Sequence, residues 1–179
     1  MGSAPWMRRA LYAALYAGVC LAIMLVHMLP KDLGPNGYPP PDILLCLTFA
    51  WVLRRPHLLP TPLVAAVFLL ADFLLMRPPG LWTALSVVAV EYLRSREPLL
   101  RELPLAAEFG AAAAALVFVP LSYHLTLMLF GVPNAGFGLM VLQAIATLLF
   151  YPLLVFALKI VFGIDRMTPS EAEAVRILS

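Results

Sequence analysis

Six apolar runs, separated by breaks rich in proline and arginine, limit this chain more than any other feature. The runs occupy residues 10–29, 43–53, 63–76, 81–93, 105–130 and 139–162. Between them lie Pro30-Lys31-Asp32, Arg54-Arg55-Pro56, Arg77-Pro78-Pro79-Gly80, Arg94-Ser95-Arg96-Glu97-Pro98 and Gly131-Val132-Pro133-Asn134. Proline and glycine punctuate helices, and charge resists burial in hydrocarbon. A membrane-crossing helix needs about 20 apolar residues, and the first, fifth and sixth runs reach that length. The second and fourth, at 11 and 13 residues, rise only about 17–20 Å. Their flanks extend them, so the expected spans are 10–29, 40–55, 58–76, 80–94, 105–130 and 139–162.

Composition supports that reading. Of 179 residues 63% are hydrophobic and 12% charged, against roughly 45–50% and 25% in soluble domains. The surface of a small soluble domain is too large a share of it to hide so many apolar side chains. The chain is therefore expected to be an all-α, polytopic integral membrane protein forming a single transmembrane domain in the lipid bilayer. Soluble enzymes, disordered regulators and disulfide scaffolds are excluded. A net charge of +2 without a basic run offers nothing for nucleic acid. Cys20 and Cys46 both lie inside apolar runs and read as small packing residues.

The distribution of Lys and Arg sets the expected orientation. With six crossings and the N-terminus inside, ten of the twelve cations (Arg8, Arg9, Arg54, Arg55, Arg94, Arg96, Arg101, Lys159, Arg166, Arg176) face the cytoplasm. Lys31 and Arg77 face outward. A re-entrant hairpin of runs two and three would worsen the ratio to eight against four. Both termini are thus expected in the cytoplasm. The first apolar run is longer than a signal-peptide core and lacks an Ala-x-Ala site, so it is expected to remain in the mature protein. Thr168-Pro169-Ser170-Glu171 is a capping-box start for a short cytoplasmic helix in the tail, 165–179.

Polar and small residues within the runs are the candidate functional positions. Ala10, Ala14, Gly18 and Ala22 recur every fourth residue, and Ala106, Gly110 and Ala114 repeat the device. Such stripes let helix backbones approach closely in lipid, either within the chain or toward a partner's helix. Asp42, Asp72 and Glu91 are charges at the borders of apolar runs. Local pairing, Asp72 with Arg77 and Glu91 with Arg94, is the simplest reading; partner docking and a solute or proton site are the others. Ser122, Tyr123, His124 and Thr126 with Gln143, Thr147 and Tyr151 place polar groups beside Pro120 and Pro152. They are either interhelical hydrogen-bonding groups or the lining of an outer vestibule. No nucleophile elbow, phosphate loop or clustered His/Cys set occurs. Neither catalytic residues, metal nor cofactor are expected.

One resemblance joins these positions. Pro41-Asp42-Ile43-Leu44-Leu45-Cys46-Leu47-Thr48-Phe49-Ala50-Trp51-Val52-Leu53-Arg54-Arg55-Pro56 resembles the second-helix signature of the rod shape-determining MreD family, in its proteobacterial branch. Leu69-Leu70-Ala71-Asp72-Phe73-Leu74-Leu75-Met76-Arg77-Pro78-Pro79-Gly80-Leu81-Trp82 and Glu91-Tyr92-Leu93-Arg94-Ser95-Arg96 extend the likeness. The resemblance implies a non-enzymatic subunit of the cell-wall elongation machinery in the bacterial inner membrane. It implies association with MreC, whose single transmembrane helix precedes a periplasmic domain. Through MreC it implies a link from MreB filaments to the peptidoglycan glycosyltransferase and its transpeptidase. It further implies a fold similar to the substrate-binding subunits of energy-coupling-factor vitamin transporters. Asp42, Arg54, Arg55, Asp72, Arg77, Glu91 and Arg94 occupy signature positions. On this reading Asp42, Asp72 and Arg77 orient the partner, while Ala14 and Gly18 set its approach. The alternative is a small-solute-binding transport subunit using His124, Gln143 and Thr147.

Overall fold

A computed structural model describes residues 5–29, 39–133 and 136–162; the expected tail helix, within 165–179, lies outside them. The elements are α1 (Pro5–Met28), α2 (Ile43–Arg54), a 3-10 turn (Pro56–Leu58), α3 (Thr61–Leu74), α4 (Leu81–Glu102), α5 (Leu105–Leu129) and α6 (Phe137–Phe162). No strand occurs among the described residues. Arg9–Met28, Leu105–Leu129 and Phe137–Ile160 are each long and apolar enough to cross a membrane, whereas α2 and α3 are shorter apolar helices. The chain is an all-helical protein with the composition and helix lengths of a membrane protein.

The shortest helix is the centre. From Leu44 to Arg54 every residue of α2 is buried, as expected for a helix that is hydrophobic all round. It packs against α1, α4, α5 and α6, while α3 bridges α1 and α4. Thr48 in α2 donates to the Leu44 carbonyl at 2.7 Å, which leaves the Tyr16 hydroxyl to donate to Thr48 at 2.9 Å. The Tyr16 ring also meets Trp51 edge-on, with centroids 5.7 Å apart. The inward face of α1 is therefore Tyr16, Cys20 and Met24.

The charged break at 94–98 ends the apolar run but not the helix, since α4 continues through Pro98 to Glu102. Leu93, Glu97 and Leu100 are buried at helical spacing, so packing outweighs the lost backbone bond at Pro98. Arg101 supports the extra turn by pairing with Glu97 at i,i+4. Pro120 and Pro152 are likewise held inside α5 and α6.

Two helices end in the same way. At α3, Arg77 N–H reaches the Asp72 carbonyl (3.0 Å) and Met76 N–H the Phe73 carbonyl (3.3 Å). At α5, Val132 N–H reaches Leu127 (2.9 Å) and Gly131 N–H reaches Met128 (3.1 Å). Both are Schellman motifs, which require a left-handed residue after the cap. Gly131 (φ 64°) fits that requirement without penalty; Met76 (φ 50°) does not. Because Met76 is 95% exposed, its side chain contributes little packing in return. Met76→Gly should stabilise the protein by about 1 kcal/mol, raising the thermal midpoint in detergent by roughly 2–4 °C. Gly131→Ala, at a position with open space around it, should lower it by a similar amount through backbone strain alone. Equal midpoints for all three proteins would refute this account of the two turns.

Candidate functional site

The candidate residues gather at opposite ends of the bundle. One, the aspartate end, carries Asp42, Asp72, Arg77, His124, Gln143 and Thr147; the other, the arginine end, carries Arg54, Glu91 and Arg94.

At the aspartate end, Asp42 caps α2 by accepting from Leu45 N–H at 3.0 Å. Its own N–H donates to Thr147 Oγ1 (3.0 Å), and Gln143 Nε2 donates to the Pro40 carbonyl (3.2 Å). Cys46 Sγ reaches the Thr147 carbonyl at 3.5 Å. The α6 polar residues therefore attach the non-helical stretch 39–42 to the bundle, which is the hydrogen-bonding role foreseen for them.

Asp72 is completely buried and does not pair with Arg77, contrary to the expectation from their spacing. Its Oδ2 accepts from Gly80 N–H (3.0 Å), Thr83 N–H (3.2 Å) and Thr83 Oγ1 (2.8 Å). The physical reason lies in α4. Its N-cap is Gly80, which has no side chain to satisfy the first-turn N–H groups. A carboxylate from α3 does so instead, at the positive end of the helix dipole. Arg77 turns away and lies over the Trp82 ring, 4.4 Å from its centroid. Among the described residues it has no carboxylate partner within ion-pair distance.

Arg77 and Trp82 also line an open cavity of about 250 Å³, together with Tyr123, His124 and Gln143 and the apolar Pro39, Pro120, Leu127, Leu139 and Met140. His124 is buried, and its ring lies 5.8 Å from that of Phe137. A water-sized cavity beside it is bordered by His27, Asp42, Arg77 and Gln143. Of the expected vestibule residues, Tyr123, His124 and Gln143 thus meet the α3–α4 turn at the cavity, whereas Thr147 lines neither cavity.

The arginine end is held by ion pairs. Glu91 and Arg94 pair at 2.8 Å as their spacing predicts, and Arg94 also donates to Thr61 Oγ1 and the Leu59 carbonyl (2.6 Å). Arg54 pairs with Glu108 at 3.2 Å, with both side chains 5% or less exposed. Glu108 is the partner the sequence reading overlooked, since it fell inside an apolar run. The signal was available: a carboxylate inside an apolar run is costly unless it is paired or hydrogen-bonded, so Glu108 called for a partner. Arg55 makes no ion pair among the described residues.

The small-residue stripes face outward. Ala10, Ala14, Gly18 and Ala22 are all exposed, as are Ala106, Gly110 and Ala114. A Cβ built on Gly18 or Gly110 meets nothing within 4 Å. Among the described residues the stripes are therefore not packed within the chain, contrary to the simpler expectation. The inward face of α1 carries Tyr16, Cys20 and Met24 instead, and that of α5 carries Glu108, Ala112, Ala115 and Leu116.

Among the described residues no three His, Cys, Asp or Glu side chains gather as metal ligands, and Cys20 and Cys46 are buried free thiols. Comparison with family models, curated proteins and solved structures returns no match to this chain.

Two predictions follow from this geometry, both measured as thermal unfolding in detergent. Asp72→Ala removes the acceptor shared by three donors and should cost about 2–3 kcal/mol, whereas Asp72→Asn, which keeps a side-chain oxygen, should cost less than half of that. Equal losses would show that charge rather than capping is what Asp72 supplies. Glu108→Leu strands a buried guanidinium and should cost about 3–5 kcal/mol, while the double change Glu108→Leu with Arg54→Met should recover most of it. Simple addition of the two single losses would rule out the pair as a coupled unit.

Proposed function

We propose that this chain is a non-enzymatic scaffold of the MreD type, threaded six times through the bacterial inner membrane. Both termini and the arginine end lie in the cytoplasm, and the aspartate end faces the periplasm. The observation that carries the docking role is the open stripe of α1. Small residues that packed only within the bundle would face inward, whereas these leave a shallow apolar track that suits a second transmembrane helix. The occupant we assign is the helix of MreC, which would connect the chain to MreB and to the glycosyltransferase–transpeptidase pair. The block at 41–56 and the cation asymmetry support the same assignment. Asp42 and Asp72 are engaged within the bundle, so neither offers a free carboxylate to a partner at the periplasmic rim.

A second reading, a solute-binding transport subunit, is favoured by the cavity beside Arg77. Its volume of about 250 Å³ falls below the roughly 300–1,000 Å³ of sites that enclose drug-sized ligands. The scaffold is therefore preferred.

Affinity purification of the tagged full-length chain in mild detergent should recover a partner with one transmembrane helix and a periplasmic domain. Ala14→Leu with Gly18→Leu should reduce that recovery at least about tenfold, the effect of losing some 1.4 kcal/mol of association energy, without shifting the thermal midpoint. Depletion should round a rod-shaped host. Full recovery by the leucine variant, or unaltered rods on depletion, would count decisively against the proposal. A stoichiometric small molecule retained through purification would favour the transport reading.

A further inference from the structure

We infer that the cavity at the aspartate end is a binding site for the phosphate headgroup of an anionic amphiphile, with Arg77 as its anion-binding residue. The inference goes beyond the scaffold role and does not depend on a docked helix.

Three observations carry it. First, Arg77 is half-buried and its guanidinium donates no hydrogen bond to any described residue, while the Trp82 ring lies 4.4 Å from it. A guanidinium fixed by stacking keeps its fork of donors available for a bidentate oxyanion. Second, the nearby carboxylates do not line this cavity. Asp72 receives α4's first turn and Asp42 caps α2, so neither occupies the guanidinium. Third, the cavity combines polar and apolar walls in a way that divides a ligand. Arg77, Tyr123 and Gln143 supply polar groups, while Leu127, Leu139 and Met140 are apolar.

Its volume and its opening decide the ligand class. About 250 Å³ accommodates a phosphate and a few attached atoms, and leaves the remainder of a larger molecule outside. Leu139 lines the cavity and is also 49% exposed, so the cavity opens toward the apolar exterior of α6. A free polar anion has no use for that opening. An amphiphile does, because its headgroup meets Arg77 while its chains lie along the outer surface of α6.

The test uses full-length protein in a mild nonionic detergent, titrated with short-chain phosphatidic acid and followed by native mass spectrometry. Short-chain diacylglycerol and inorganic phosphate serve as the headless and tailless controls. Phosphatidic acid should bind at one site, and both controls at least about tenfold more weakly. Arg77→Gln should lower its affinity at least about tenfold, the size of a lost charge-assisted pair, while Arg77→Lys retains part of it. Met140→Trp should block the site by filling it, leaving Arg77 intact and providing a second test if the glutamine variant misfolds. Undiminished binding in either variant, or equal affinity for diacylglycerol, would overturn the site. Equal affinity for inorganic phosphate would overturn its assignment to an amphiphile.

Discussion

A 12-residue helix rises about 18 Å, little more than half of a hydrocarbon layer near 30 Å. The arrangement of the rest of the bundle follows from enclosing that helix. Because α2 is covered on every side, lipid does not meet it; non-helical chain (39–42) leads into it, and a 3-10 turn (Pro56–Leu58) follows it. Backbone groups in such chain have no water to turn to within a membrane. They are satisfied instead by α6, through Thr147 and Gln143, and by the Asp42 cap. At the other end α5 provides Glu108 for Arg54. The long helices therefore do more than surround a core: they complete the ends of a helix too short to complete itself.

Unlike a water-soluble bundle, this one is apolar outside as well as in its core, and it buries several polar groups. Thr48, Arg54, Asp72, Ser86, Glu108 and Thr147 are buried, while Leu11, Leu25, Leu129, Leu149, Phe156 and Ile160 are exposed. In water the exposure of so many large apolar side chains would be costly. In lipid there is no such cost, and helix association depends instead on close packing and hydrogen bonds. The Tyr16–Thr48 and Asp72–Thr83 bonds are interactions of that kind, each joining two helices by side chains.

Much of this was legible in the chain, and the failures share one cause. Apolar runs and their breaks located the helices, because hydrophobic length and proline act locally. Glu91 and Arg94 were paired correctly because three residues on a helix bring side chains together. The same reasoning failed for Asp72 and Arg77. A helix end intervenes between them, and the uncapped Gly80 of the next helix claims the carboxylate. That competition depends on a tertiary contact between α3 and α4. Arg54 and Glu108, 54 residues apart in the chain, could be joined only by knowing that α5 runs beside α2. The outward stripes were visible as stripes, but their direction depended on which face of α1 bore Tyr16.

How the charges are used separates the two ends of the molecule. At the arginine end Arg54, Arg94 and Arg101 each have a carboxylate, so those charges are consumed in holding helices together. At the aspartate end Asp42 and Asp72 instead accept hydrogen bonds as caps for α2 and α4, and among the described residues Arg77 has no carboxylate within ion-pair distance. A guanidinium remaining after helix ends have been satisfied is not required by the fold. It is held over an aromatic ring at the mouth of a cavity, and in a low-dielectric setting an unneutralised cation attracts an anion strongly. Ion pairs thus brace the arginine end, whereas the site inferred at the aspartate end rests on a guanidinium that no described carboxylate pairs with and that lines a cavity.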